Sequence, residues 1–137
     1  MEEEDNVYDL VEEDQYVKLV EGRRSEALTE MRRAVEMEDK TETASVTPGP
    51  LKPAREILGE LLLQLNRPSE ALMEFQSSLK KEPNRFWSLY GAAKAAKLTG
   101  DGKQASLYFK RLLTIAQRSD QPGRPELAEA RVFIRHN

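Results

Sequence analysis

Side chains able to do covalent or acid–base chemistry are scarce in this sequence. It holds no cysteine and a single histidine, His136, next to the last residue. Without Cys there is no thiol nucleophile, thiolate metal site or disulfide, and one terminal His supplies neither a zinc or iron ligand set nor a positioned base. Glu56 and Glu60 are paired carboxylates one helical turn apart, the arrangement here best suited to acid–base work. Gly100-Asp101-Gly102 has no strand before it and the wrong spacing for a phosphate loop, so it reads as a turn. The expectation is a protein that is not an enzyme, with no cofactor and no metal.

Residues suited to recognition are better represented. Lys94 and Lys97 stand one helical turn apart. If their helix lies beside that of Glu56 and Glu60, the four form either a polar recognition patch, suited to a charged peptide terminus, or a salt-bridge cluster of little stabilising value. Trp87 and Tyr90 are three apart and share a helical face. Large stiff rings with a polar handle are enriched at binding hot spots; the alternative is that Trp87 packs under the preceding loop. A net charge of −3 and the lack of a basic stripe disfavour nucleic acid and membrane surfaces. Lys80, Lys81 and Arg85 cluster near a helix end, where cations favour the last carbonyls.

The elements that hold these residues repeat. At an offset of 34 residues Ala71 falls on Ala105, Phe75 on Phe109, Leu79 on Leu113, and the Asn66 turn on Gly100. Within each copy the Ala, the aromatic residue and the Leu are four apart and form one packing stripe. Pro53 and Pro68 each open a helix, Pro83-Asn84 closes one, and Asn84 and Asp101 are placed to cap the next. The helices expected are Ala54 to Leu65, with Ile57, Leu58, Leu61, Leu62 and Leu65 inward, Ser69 to Lys81, Arg85 to Leu98 and Lys103 to Arg118. A final helix over 125–135 turns Leu127, Ala130, Phe133 and Ile134 to one side, closing the stack.

These residues resemble the tetratricopeptide repeat family, whose unit has 34 residues. The copy at 52–85 supplies Leu58-Gly59, Ala71, Phe75 and the closing Pro83, with Ser78 where the family usually has Ala. The copy at 86–119 has Ala92-Ala93 in place of Leu-Gly, then Ala105, Phe109, Leu112 where Ala is usual, and no closing Pro. Ala27, Met31 and Val35 repeat the stripe once more, after a break at Gly22, so 7–37 reads as a divergent first hairpin and 38–50, rich in turn formers, as an inserted loop. The resemblance implies an all-α fold, a right-handed superhelical stack of about three antiparallel hairpins with a capping helix. It places the chain with the C-terminal repeat regions of longer bacterial proteins. It also implies a non-catalytic scaffold that binds a peptide or helix of a partner protein in a concave groove. By position the groove presents Glu56, Ile57, Glu60, Leu63 and Gln64, then Trp87, Tyr90, Gly91, Lys94, Lys97 and Leu98. The family's carboxylate-clamp positions hold Glu12, Tyr16, Ile57, Trp87 and Gly91, which do not suit a carboxylate.

The start of the chain offers a second reading. Residues 1–14 carry eight acidic groups and no basic one, whereas 101–137 carry seven Lys and Arg against four acidic residues. The acidic run is either a solvated helix start or a docking tail, and ends of opposite charge could pair head to tail as a weak homo-oligomer. No apolar run reaches a membrane span, and the acidic start is the reverse of a secretory leader, so a cytoplasmic location is expected, or an exported one if Met1 is not the natural start.

Overall fold

Among the described residues of the computed structural model, every regular element is a helix. The structure describes residues 13–44, 52–118 and 123–136, and side chains from Val20 to Thr41 within the first stretch. The helices are α1 (Glu13–Ala44), α2 (Ala54–Gln64), α3 (Pro68–Lys81), α4 (Phe86–Leu98), α5 (Gly102–Ala116) and α6 (Pro125–His136). None of them is long and apolar enough to cross a membrane.

The two turns that fall 34 residues apart close in the same way. Asn66 and Gly100 both adopt the left-handed conformation, with φ of 59° and 85°. After each, the next amide reaches back to the fifth residue before it, Arg67 to the Leu62 carbonyl and Asp101 to that of Ala96. This closure satisfies carbonyls at a helix C-terminus and sends the chain back antiparallel. Side-chain pairs give the resulting order. Glu56 meets Ser88 while Gly59 and Gly91 face the same Phe75 ring, so α2 runs parallel to α4; Gln76 meets Tyr108 and Arg111 reaches the Pro83 carbonyl just past α3, so α3 runs parallel to α5. Ser78 bonds Ser88 while Phe75, earlier on α3, packs on Gly91, later on α4, so α3 and α4 are antiparallel.

The core lies between these layers. Leu58 and Leu62 of α2, Phe75 of α3, Leu89 and Ala92 of α4, Phe109 and Leu112 of α5 and Leu127 of α6 are all removed from water. Phe75 occupies its centre, with its ring against the backbones of both Gly59 and Gly91. On α2 the inward row is Leu58 and Leu62, while Ile57, expected inside, is 36 % exposed. On α5 Leu112 is fully buried and Leu113 only partly, so the stripe turns slightly from the expected Ala105, Phe109 and Leu113 row.

The N-terminal third departs from the repeat pattern. The expected hairpin at 7–37 and loop at 38–50 are, over 13–44, one unbroken helix of 32 residues. A helical glycine costs only about 1 kcal/mol, and Gly22 sits in the helix where an added β-carbon would meet nothing within 4 Å. The docked half of α1 holds the rest in register: Val35 is buried, Leu28, Met31 and Ala34 are half-buried, and Ala27 is exposed rather than packed. Glu38 accepts a 2.6 Å hydrogen bond from the Ala54 amide, capping α2 from another helix. Asp39 is bridged by Arg55 of α2 and Lys81 of α3, and Arg32 pairs with Glu70 at 3.3 Å. Helix continuation through Glu38 to Thr41 therefore supplies the ties that a loop there would lack. The acidic run at 1–12 and the stretch 45–51 lie outside the described residues.

Candidate functional site

α4 is the helix on which the recognition residues converge, and its position explains how each of them is used. Antiparallel to α3 and parallel to α2 and α6, it makes side-chain contacts with all three. Gly91, where a side chain would strike Phe75, brings the α4 backbone down onto that ring. The result is an open groove of about 450 Å³ between α2 and α4, with Phe75 and Gly91 at its base, Glu60, Leu63 and Gln64 on one wall and Trp87, Lys94 and Leu98 on the other.

Trp87 stands at one end of this groove. It is 40 % exposed, and its ring is fixed edge-on between Phe86 at 4.9 Å and Tyr90 at 6.1 Å. The Arg124 guanidinium lies over both Phe86 and Trp87. A ring held in this way presents its outer face without losing rotamer freedom on binding, which favours a contact role. Leu98, 59 % exposed, marks the other end.

Tyr90 turns its polar handle inward. Its hydroxyl donates to Glu129 of α6 at 2.9 Å; burial first, and then this carboxylate, push its ionisation well above the ordinary tyrosine range. Its oxygen therefore ties α4 to α6, while the residue also lines the groove. Lys94 sits above that ring, its Nζ 5.3 Å from the centroid.

Glu56 is not on this surface. Its side chain is completely buried, and its carboxylate accepts from Arg85 Nε at 2.9 Å, Arg85 Nη2 at 3.2 Å and Ser88 Oγ at 2.7 Å. Ser88 in turn meets Ser78 at 2.8 Å. The physical reason is compensation: a carboxylate enters a core only when paired and hydrogen-bonded, and Arg85, Ser88 and Ser78 supply that here. Arg85 is drawn into this pairing and also forms the N-cap of α4 without a side-chain cap, the place expected for Asn84. The spacing of Glu56 and Glu60 holds no hint of it; the two serines in otherwise apolar columns are the available signal.

The remaining charges separate. Glu60 pairs with Lys52 at 3.1 Å. Lys97 faces away from the groove, over the Phe133 ring at 5.8 Å, in a second cleft of about 680 Å³ between α4 and α6 that His136 also lines. Glu56, Glu60, Lys94 and Lys97 thus form no single patch: one is core, two are on opposite groove walls, and one lines the cleft between α4 and α6. Among the described residues no group of three or more His, Asp or Glu side chains is placed to hold a metal ion. No family model matches the chain, and neither does any curated protein.

Proposed function

We propose that this chain is a non-catalytic interaction scaffold of tetratricopeptide type, and that the groove between α2 and α4 binds a peptide or helix of a partner protein. In this reading α2–α3 and α4–α5 are successive hairpins of a right-handed superhelical stack, α1 precedes them, and α6 closes the end. The parallel course of α2, α4 and α6 along one face supports it, as do the matching turns at Asn66 and Gly100.

The observation that carries the functional half is Trp87. It is the only tryptophan, it is held by three neighbouring groups, and 40 % of it still faces solvent at the mouth of the groove.

Affinity capture from lysate of the source cell tests the reading, with the wild-type chain beside Trp87→Ala and Leu98→Glu. Circular dichroism and melting are measured first, so that only variants shown to be folded enter the comparison. A protein retained by the wild type and lost by both variants is the expected result, and its titration should shift the fluorescence of Trp87. The same proteins retained by all three chains would remove the groove from consideration.

A further inference from the structure

We infer that the cleft between α3 and α5 binds a phosphate monoester whose ester group is apolar. The cleft shares no residue with the α2–α4 groove, so the two sites stand or fall separately.

Charge points to an anion. Of the three cations gathered at the end of α3, two are used in holding the fold: Lys81 donates to Asp39 at 2.9 Å and Arg85 to Glu56. Lys80 is exposed, makes no ion pair with a described residue, and lines the open α3–α5 cleft of about 470 Å³. Arg111 of α5 lines it too. Its Nη2 donates to the Pro83 carbonyl at 2.9 Å, which positions the guanidinium without neutralising it. Among the described residues no Asp or Glu lines this cleft, so two cations meet there without a counter-charge.

The donors narrow the anion to phosphate. Tyr108 is buried, and its oxygen accepts from Gln76 Nε2 at 3.1 Å. A hydroxyl that accepts one bond still has its proton to give, which leaves that of Tyr108 for an acceptor in the cleft, and Ser77 adds a second hydroxyl. A phosphate monoester carries a charge of about −1.5 to −2 at pH 7 and three acceptor oxygens, and the Arg fork suits phosphate geometry. A carboxylate, with a single charge, would leave one of the two cations uncompensated. The apolar part of the lining is Leu79 and Met73, the latter 66 % exposed. Covering them takes an apolar ester group, which inorganic phosphate lacks.

Titration of the full chain, followed through its amide proton–nitrogen NMR spectrum, tests this with phenyl phosphate, inorganic phosphate and benzoate at matched ionic strength. Phenyl phosphate should saturate, with shifts centred on 76–80 and 108–111, and bind several-fold tighter than either other probe. Arg111→Gln should weaken it about tenfold, as expected for a hydrogen bond to a charged group, and Tyr108→Phe and Lys80→Gln about threefold. Lys103→Gln, at an exposed α5 cation outside the cleft, should bind as the wild type does. Each variant's own spectrum reports whether it is folded; should Arg111→Gln not be, Tyr108→Phe and Lys80→Gln decide. Benzoate bound as tightly as phenyl phosphate overturns the phosphate class, and inorganic phosphate bound as tightly overturns the apolar ester group. No saturable shift at the cleft, no loss on Tyr108→Phe and Lys80→Gln, or an equal loss on Lys103→Gln overturns the site.

Discussion

Gly91 lies so close to Phe75 that a β-carbon added to it would overlap the ring's Cζ atom. The ring is fully buried and also faces Gly59, where an added β-carbon would stand 2.8 Å from the same atom. It is clamped between two helix backbones and has no room to move aside. Gly91→Ala should therefore destabilise the protein by about 1 to 3 kcal/mol, the usual cost of overpacking a core, even though alanine is the better helix former. Urea denaturation of the two proteins measures this. An unchanged or higher midpoint would show that the close approach is not a constraint.

Glu56 and Arg85 form a pair in which one partner has no access to water. Arg85→Met leaves the buried carboxylate with Ser88 alone, and breaking such a pair costs about 3 to 5 kcal/mol. Replacing both, as Glu56→Leu with Arg85→Met, should recover a good part of that loss, since an apolar pair removes the desolvation cost. The double-mutant comparison in urea decides it: a double variant as unstable as the sum of the two single ones would deny the coupling.

Asp39 ties α1 to both α2 and α3, and its titration gives that attachment a pH dependence. Burial alone would raise its pKa, but the hydrogen bond from Lys81 and the charge of Arg55 outweigh it and hold the carboxyl below its ordinary value of 3.8. A folded-state pKa below the unfolded one means stability that is fully present above the ordinary value and lost as pH falls through it towards the folded one. Asp39→Asn should lower the melting temperature at pH 7, and the gap to wild type should close progressively below about pH 4. A gap that persists undiminished at about pH 2 would mean that the carboxylate charge is not what holds α1.

α1 is one helix by hydrogen bonding but two by packing. Residues 21–27 are all exposed, whereas Leu28, Met31, Ala34 and Val35 meet the core. Protection from hydrogen exchange follows packing, so amides around 22–27 should exchange faster than those of 34–40. Gly22→Ala, at a site with open space around it, should slow exchange in the first group by removing about 0.5 to 1 kcal/mol of helix penalty and leave the urea midpoint of the core unchanged. Uniform protection along α1 would contradict this division.

The all-helical class is legible in the sequence because its signals are local. Prolines before α2 and at the start of α3, Asp101 accepting from the Gln104 amide, and the residues of left-handed conformation at Asn66 and Gly100 act over four or five residues, and periodicity reports which stripe of each helix is apolar. Gly22 misleads, because a weak local preference against helix is set against distant ties at Glu38 and Asp39 that no local window contains. Glu56 misleads too, since the phase of the helix differs by one residue from the apolar count and Ile57 turns outward instead.

Local signals thus suffice for the helices of the second half, their turns and the stripe through Ala71, Phe75, Ala105 and Phe109. The use of each polar and aromatic residue comes from packing instead. Tyr90 is assigned to a contact with α6 by Glu129, 39 positions away, and Glu56 to the core by Arg85, 29 positions away. Trp87 and Lys94 are left facing the groove. Helical periodicity fixes the angle between side chains on one helix, but burial, pairing and exposure depend on which other helices stand opposite them, and that is set by the tertiary packing.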